Sequence, residues 1–145
     1  MVFEAGTILQ LVLLITWTVL SDTPLPQKNT LFTQFFTSKA VFEEIASTAF
    51  LVFAPNLFNV LRAAVPPTIQ YFKTLPTETS NRWAIYLLVL EKSCCRPRIY
   101  IRSATDSYYG VHHRFGQYNT GDALPMYVKK ALDEGYSIVH KGLLC

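Results

Sequence analysis

Arg82-Trp83-Ala84-Ile85-Tyr86-Leu87-Leu88-Val89-Leu90 and, after a short polar break, Arg98-Ile99-Tyr100-Ile101-Arg102-Ser103 set the architecture of this chain. The run over 83–90 is apolar and rich in β-forming residues, as in a strand buried on both faces. Residues 91–97 include Lys92, Ser93, Arg96 and Pro97 and predict a hairpin connection. Basic and apolar residues alternate over 98–103, predicting a more exposed partner strand.

Working outward toward Cys145, Thr105-Asp106-Ser107 offers helix caps, and Gly110 eases the chain into a helix over 111–118. Asn119 and Gly121 stop that helix. Pro125 suits the first turn of a second helix over 124–134. There Tyr127, Val128, Ala131 and Leu132 point inward, while Lys129, Lys130 and Asp133 point outward. Gly135 ends it, and residues 136–141 predict a third strand. The order β-β-α-α-β implies an α+β fold, a small three-stranded antiparallel sheet with flanking helices.

Working outward toward Met1, residues 74–81 form a polar loop that predicts a domain boundary, dividing the chain into 1–81 and 82–145. The first part reads as a helical N-terminal extension. Residues 57–64 predict a short helix capped by Asn56 and ended by Pro66-Pro67. Residues 38–53 predict a longer one capped by Ser38, with Val41, Phe42, Ile45, Ala46, Ala49, Phe50 and Phe53 on one face. Residues 22–29 hold Pro24 and Pro26 and predict a linker. Residues 8–20 are apolar except for Gln10, Thr16 and Thr18. That is the length of a signal-peptide core and short for a membrane span. The acidic Glu4 ahead of it and the lack of a small-x-small cleavage site argue against secretion. A buried or partner-facing helix and a membrane segment are the competing expectations.

The chain has 145 residues, half of them hydrophobic, enough for a core and too apolar for disorder. Its formal charge of +3 is unevenly placed. Residues 1–81 carry four Lys or Arg against five Asp or Glu, and residues 82–145 carry nine against five. The basic part holds the Tyr strands, which suggests a polyanion partner. Cys94, Cys95 and Cys145 have neither disulfide-framework nor zinc spacing and fit a reducing, intracellular compartment. The adjacent His112 and His113 point about 100° apart on a helix, which disfavours a shared metal.

Residues 83–145 resemble a GIY-YIG nuclease domain, in particular its compact fungal form. The first motif strand is matched by Ala84-Ile85-Tyr86 and the second by Tyr100-Ile101-Arg102. The helix carrying Arg and, four residues on, His or Tyr is matched by Arg114 and Tyr118. Leu124-Pro125-Met126-Tyr127-Val128 and the segment from Gly135 to Leu144 resemble the later elements. The resemblance implies a DNA endonuclease dependent on a divalent metal such as Mg²⁺. Tyr86 would be the general base, Tyr100 would assist at phosphate or water, and Arg114 and Tyr118 would complete the catalytic set. A tyrosine ionises near ~10, so the base role needs a cation that lowers this value. Arg114 is the candidate, and its fork also suits two phosphate oxygens. Arg98, Arg102, Lys129 and Lys130 are the expected nucleic-acid contacts.

The chain departs from the family in three ways. Ala84 and Arg102 replace the family's glycines, and Arg102 brings bulk and charge to the cleft. Thirteen residues separate Tyr86 from Tyr100, more than usual. The family's metal-binding Glu, on a helix after the third strand, has no match up to Cys145. The expectation is therefore a nuclease domain with impaired cleavage. The alternatives are a non-catalytic nucleic-acid binder and a small protein anchored in a membrane through residues 8–20.

Overall fold

A computed structural model describes residues 5–22, 30–48, 51–78 and 81–145. The chain forms two compact units that divide between Leu51 and Val52.

The first unit contains helices α1 (Ala5–Asp22), α2 (Thr30–Phe35) and α3 (Lys39–Ser47). Ser38 caps α3 as its sequence predicts, accepting a hydrogen bond from the Val41 amide at 3.3 Å. Phe42 of α3 is buried, with its ring 5.7 Å from Trp17 of α1 and 5.4 Å from Phe36. Leu11, Leu14, Ile15 and Val19 of α1 remain exposed. Among the described residues, no helix is long and apolar enough to cross a membrane. The helix predicted over 38–53 ends at Ser47. Residues 51–54 are not helical, and Pro55 disfavours helical torsions at Ala54. Ala49 and Phe50 lie outside the described residues.

The second unit contains α4 (Leu57–Arg62), α5 (Ile69–Phe72), β1 (Ala84–Glu91), β2 (Arg98–Ala104), α6 (Gly110–Thr120), α7 (Met126–Asp133) and β3 (Ser137–Leu143). It bears out the α+β fold with a three-stranded antiparallel sheet. The strand order is β2-β1-β3, so β1 is central. Tyr86 through Leu90 are all buried, which explains the unbroken apolar run.

The strand period of two sends these residues to opposite faces. Tyr86, Leu88 and Leu90 pack with Val111, Phe115, Tyr118, Val128, Ala131 and Tyr136 beneath α6 and α7. Leu87 and Val89 pack with Ala54, Leu57 and Leu75 on the other face. Each buried Leu, Val or Phe among them contributes about 1.5–3 kcal/mol.

This second layer moves the boundary suggested at 81/82. The polar loop over 74–81 does not separate domains, because Leu75 within it belongs to the core against Leu87 and Val89. The backbone ties this region down as well. The Leu143 amide donates to the Pro76 carbonyl at 2.7 Å, and the Ala54 amide donates to that of Leu144 at 2.8 Å. Lys73 at the end of α5 pairs with Glu91 at the end of β1, at 2.8 Å.

Asn56 also differs from its expected role. It precedes α4 in the left-handed region at φ 61° and makes no side-chain cap. Its amide oxygen instead accepts from Asn59 Nδ2 at 2.8 Å.

Candidate functional site

The β1–β2 register sets Tyr86 opposite Arg102, Leu88 opposite Tyr100 and Leu90 opposite Arg98. Cross-strand partners share a face, so the basic residues and Tyr100 of β2 lie on the side that α6 and α7 cover. On α6, Arg114 and Tyr118 are one turn apart and share that helix's inner side. The structure thus brings together the four residues expected to be catalytic, Tyr86, Tyr100, Arg114 and Tyr118.

Tyr86 and Tyr118 form the centre. Their hydroxyls hydrogen-bond to each other at 2.8 Å. Tyr86 is 0% exposed and Tyr118 is 8% exposed. Phe115 meets the Tyr86 ring edge-on at 5.4 Å.

Around this pair stand two guanidinium groups. Arg114 is half-buried and donates to Gln117 Oε1 at 2.5 Å and to the Ala123 carbonyl at 3.5 Å. Arg102 donates to the Tyr100 hydroxyl at 3.0 Å. It is exposed, and the β1–β2 register sets it opposite Tyr86. Tyr100 also stacks on Tyr127 of α7, with centroids 5.8 Å apart and planes 14° from parallel. Tyr127, expected to point inward, is instead exposed, with its ring lying on that of Tyr100.

The electrostatics bear on the expected role of Tyr86. Burial raises the pKa of Tyr86 above the ordinary phenol value; the Tyr118 hydrogen bond and the Arg114 charge pull it down but do not prevail. Burial and the hydrogen bond to Tyr86 raise Tyr118 further. Burial thus works against the cation on which the expected base role of Tyr86 depends.

The expected nucleic-acid contacts divide. Arg102, Lys129 and Lys130 are exposed. Arg98 is engaged inside the unit, with an ion pair to Glu134 at 2.6 Å and its guanidinium 4.2 Å from the Tyr136 ring centroid. Its charge is used to join β2 to the end of α7.

The groups around the pair are guanidiniums and protonated phenols. Such a set repels a divalent cation and accepts an anion, since each group can donate to an oxyanion. Among the described residues, no group of three or more His, Cys, Asp or Glu could hold a metal ion. The residues present do not fit the magnesium site that the resemblance implies.

No known family, curated protein or solved structure matches this chain.

Proposed function

We propose that the second unit is a GIY-YIG-like domain that grips the phosphodiester backbone of DNA. Arg102, Arg114 and the Tyr100 hydroxyl meet phosphate oxygens. The Tyr86–Tyr118 pair braces them from beneath without touching the DNA. Lys129 and Lys130 extend the basic surface along α7. The observation that carries this reading is that Arg102 lies opposite Tyr86 in the β1–β2 register while Arg114 lies one helical turn from Tyr118, the hydrogen-bond partner of Tyr86. The excess of nine basic over five acidic residues in 82–145 supports it.

Cleavage, as the resemblance implies it, would need a base to deprotonate water and a group to stabilise the leaving oxygen. The burial of Tyr86, which pushes its hydroxyl away from ionising, favours binding over hydrolysis as the role of these residues. The test is fluorescence anisotropy with a labelled duplex over a range of salt. Affinity should fall as salt rises, and Arg102→Ala should weaken binding and reduce the logarithmic salt slope by about 1. Plasmid DNA incubated with Mg²⁺ should stay intact. Nicking that disappears in Arg114→Ala would replace this reading with the catalytic one.

A further inference from the structure

Arg102 is exposed, yet its guanidinium has a fixed partner, and that partner is a hydroxyl and not an acid. Its Nη1 donates to the Tyr100 hydroxyl at 3.0 Å. Among the described residues, it takes part in no ion pair. Arg98, on the same strand, shows the contrast: Glu134 lies 2.6 Å from its guanidinium and compensates the charge. A phenol steadies a guanidinium without cancelling its charge. Tyr100 and Arg102 are two residues apart on β2, so both project from one face of the strand.

This tether is only as firm as the phenol that makes it. β2 is an edge strand, so no further strand steadies Tyr100 from outside. The ring is held instead by Tyr127 of α7, with centroids 5.8 Å apart and planes 14° from parallel. That is an offset stack within the range aromatic pairs prefer. Tyr127 itself is 45% exposed, whereas its helix neighbours Val128 and Ala131 are fully buried and fix α7 to the core. The position of α7 therefore does not depend on the Tyr127 ring. The contacts run in sequence from the anchored helix to the Tyr127 ring, the Tyr100 ring, the Tyr100 hydroxyl and the Arg102 guanidinium.

Such a chain matters for binding an anion. A long side chain that is ordered only on binding loses rotamer freedom at that moment, and the loss subtracts from affinity. Ordering it beforehand removes part of that loss. The Tyr100 oxygen accepts from Arg102, which leaves its own proton for an oxyanion, and Arg102 retains its other N–H donors for the same purpose.

We propose that Tyr127 is a positioning residue: by stacking on Tyr100 it holds the hydroxyl that sets the Arg102 guanidinium for a phosphate. The inference rests on the backbone-gripping role of Arg102 and adds a residue that acts on the phosphate through two others without touching it.

The test uses the full chain and a labelled duplex at fixed salt. Tyr127→Ala should weaken binding about two- to tenfold. Tyr127→Phe keeps the ring and should bind as the parent chain does. In the Arg102→Ala background, Tyr127→Ala should cost nothing further, because its effect passes through Arg102. A second measurement needs no DNA: the NMR order parameter of the Arg102 Nε–H group should fall in Tyr127→Ala and hold in Tyr127→Phe. Urea unfolding confirms that each variant is folded, and the exposure of Tyr127 makes its replacement tolerable. Sensitivity to Arg102→Ala with indifference to Tyr127→Ala overturns the positioning role and leaves the backbone role standing. An equal loss from Tyr127→Ala with and without Arg102 makes Tyr127 a direct contact and overturns it too, as does an unchanged Arg102 order parameter. Indifference of binding to Arg102→Ala, or no binding of the duplex, removes both roles.

Discussion

At the scale of single residues, the Tyr86–Tyr118 hydroxyl contact defines the site's character. Removing one hydroxyl leaves the other in a buried place with a lost partner, at a cost of about 1–3 kcal/mol. Removing both takes away the need for a partner. Tyr118→Phe alone should therefore lower unfolding free energy in urea by about 1–3 kcal/mol, and Tyr86→Phe with Tyr118→Phe should cost less than the sum of the singles. Additive losses would show that the two hydroxyls are not coupled. The spacing of Arg114 and Tyr118 made their shared side legible in the sequence, because four residues is a helical period. The burial of Tyr86 was not legible. It depends on α6 lying across β1, and strand aromatics are found both in cores and at surfaces. Burial is the first cause of the upward shift at Tyr86, and the nearby Arg114 does not outweigh it.

At the scale of elements, the junction between β1 and α6 is the least replaceable part of the domain. Gly110 has φ +52°, and a Cβ there would fall on the Arg82 backbone. Gly121, at the end of α6, has φ +78° but open space around its missing Cβ. Both substitutions to Ala incur the left-handed conformational cost of about 1–2 kcal/mol, and only Gly110→Ala adds a backbone clash. Gly110→Ala should thus lower the melting temperature much more than Gly121→Ala. It should also weaken the proposed DNA binding, because α6 carries Arg114. Equal shifts would argue against the close approach to Arg82. The contrast marks what sequence shows at this scale. Gly121 as a helix stop and Ser38 as a cap are local features, decided by neighbours in the chain. The Gly110 contact joins segments distant in sequence. Asn56 has a capping residue's chemistry, but its left-handed backbone spends the side chain on Asn59 instead.

At the scale of the whole molecule, hydrophobic pattern gave the correct sheet and order of elements, because the central strand and amphipathic α7 leave few ways to be buried. It misplaced the boundary, because a polar loop over 74–81 is also what a connection over a core looks like. Leu75 is one apolar residue in that loop, and only the fold reveals that it fills the space against Leu87 and Val89. The consequence is testable with two shortened chains. Residues 52–145 retain Ala54, Leu57 and Leu75 over the second face, the Lys73–Glu91 pair, and the bonds from Ala54 and to Pro76. Residues 82–145 keep the first core under α6 and α7 but uncover Leu87 and Val89. For the two side chains uncovered the loss is about 3–6 kcal/mol, a large part of the stability of a small domain, about 5–15 kcal/mol. The longer piece should unfold cooperatively in urea with a sharp near-ultraviolet signal. The shorter one should bind a hydrophobic dye and show a broad transition or none. A shorter piece as stable as the longer would put the boundary back at 81/82 and make α4 and α5 an appendage.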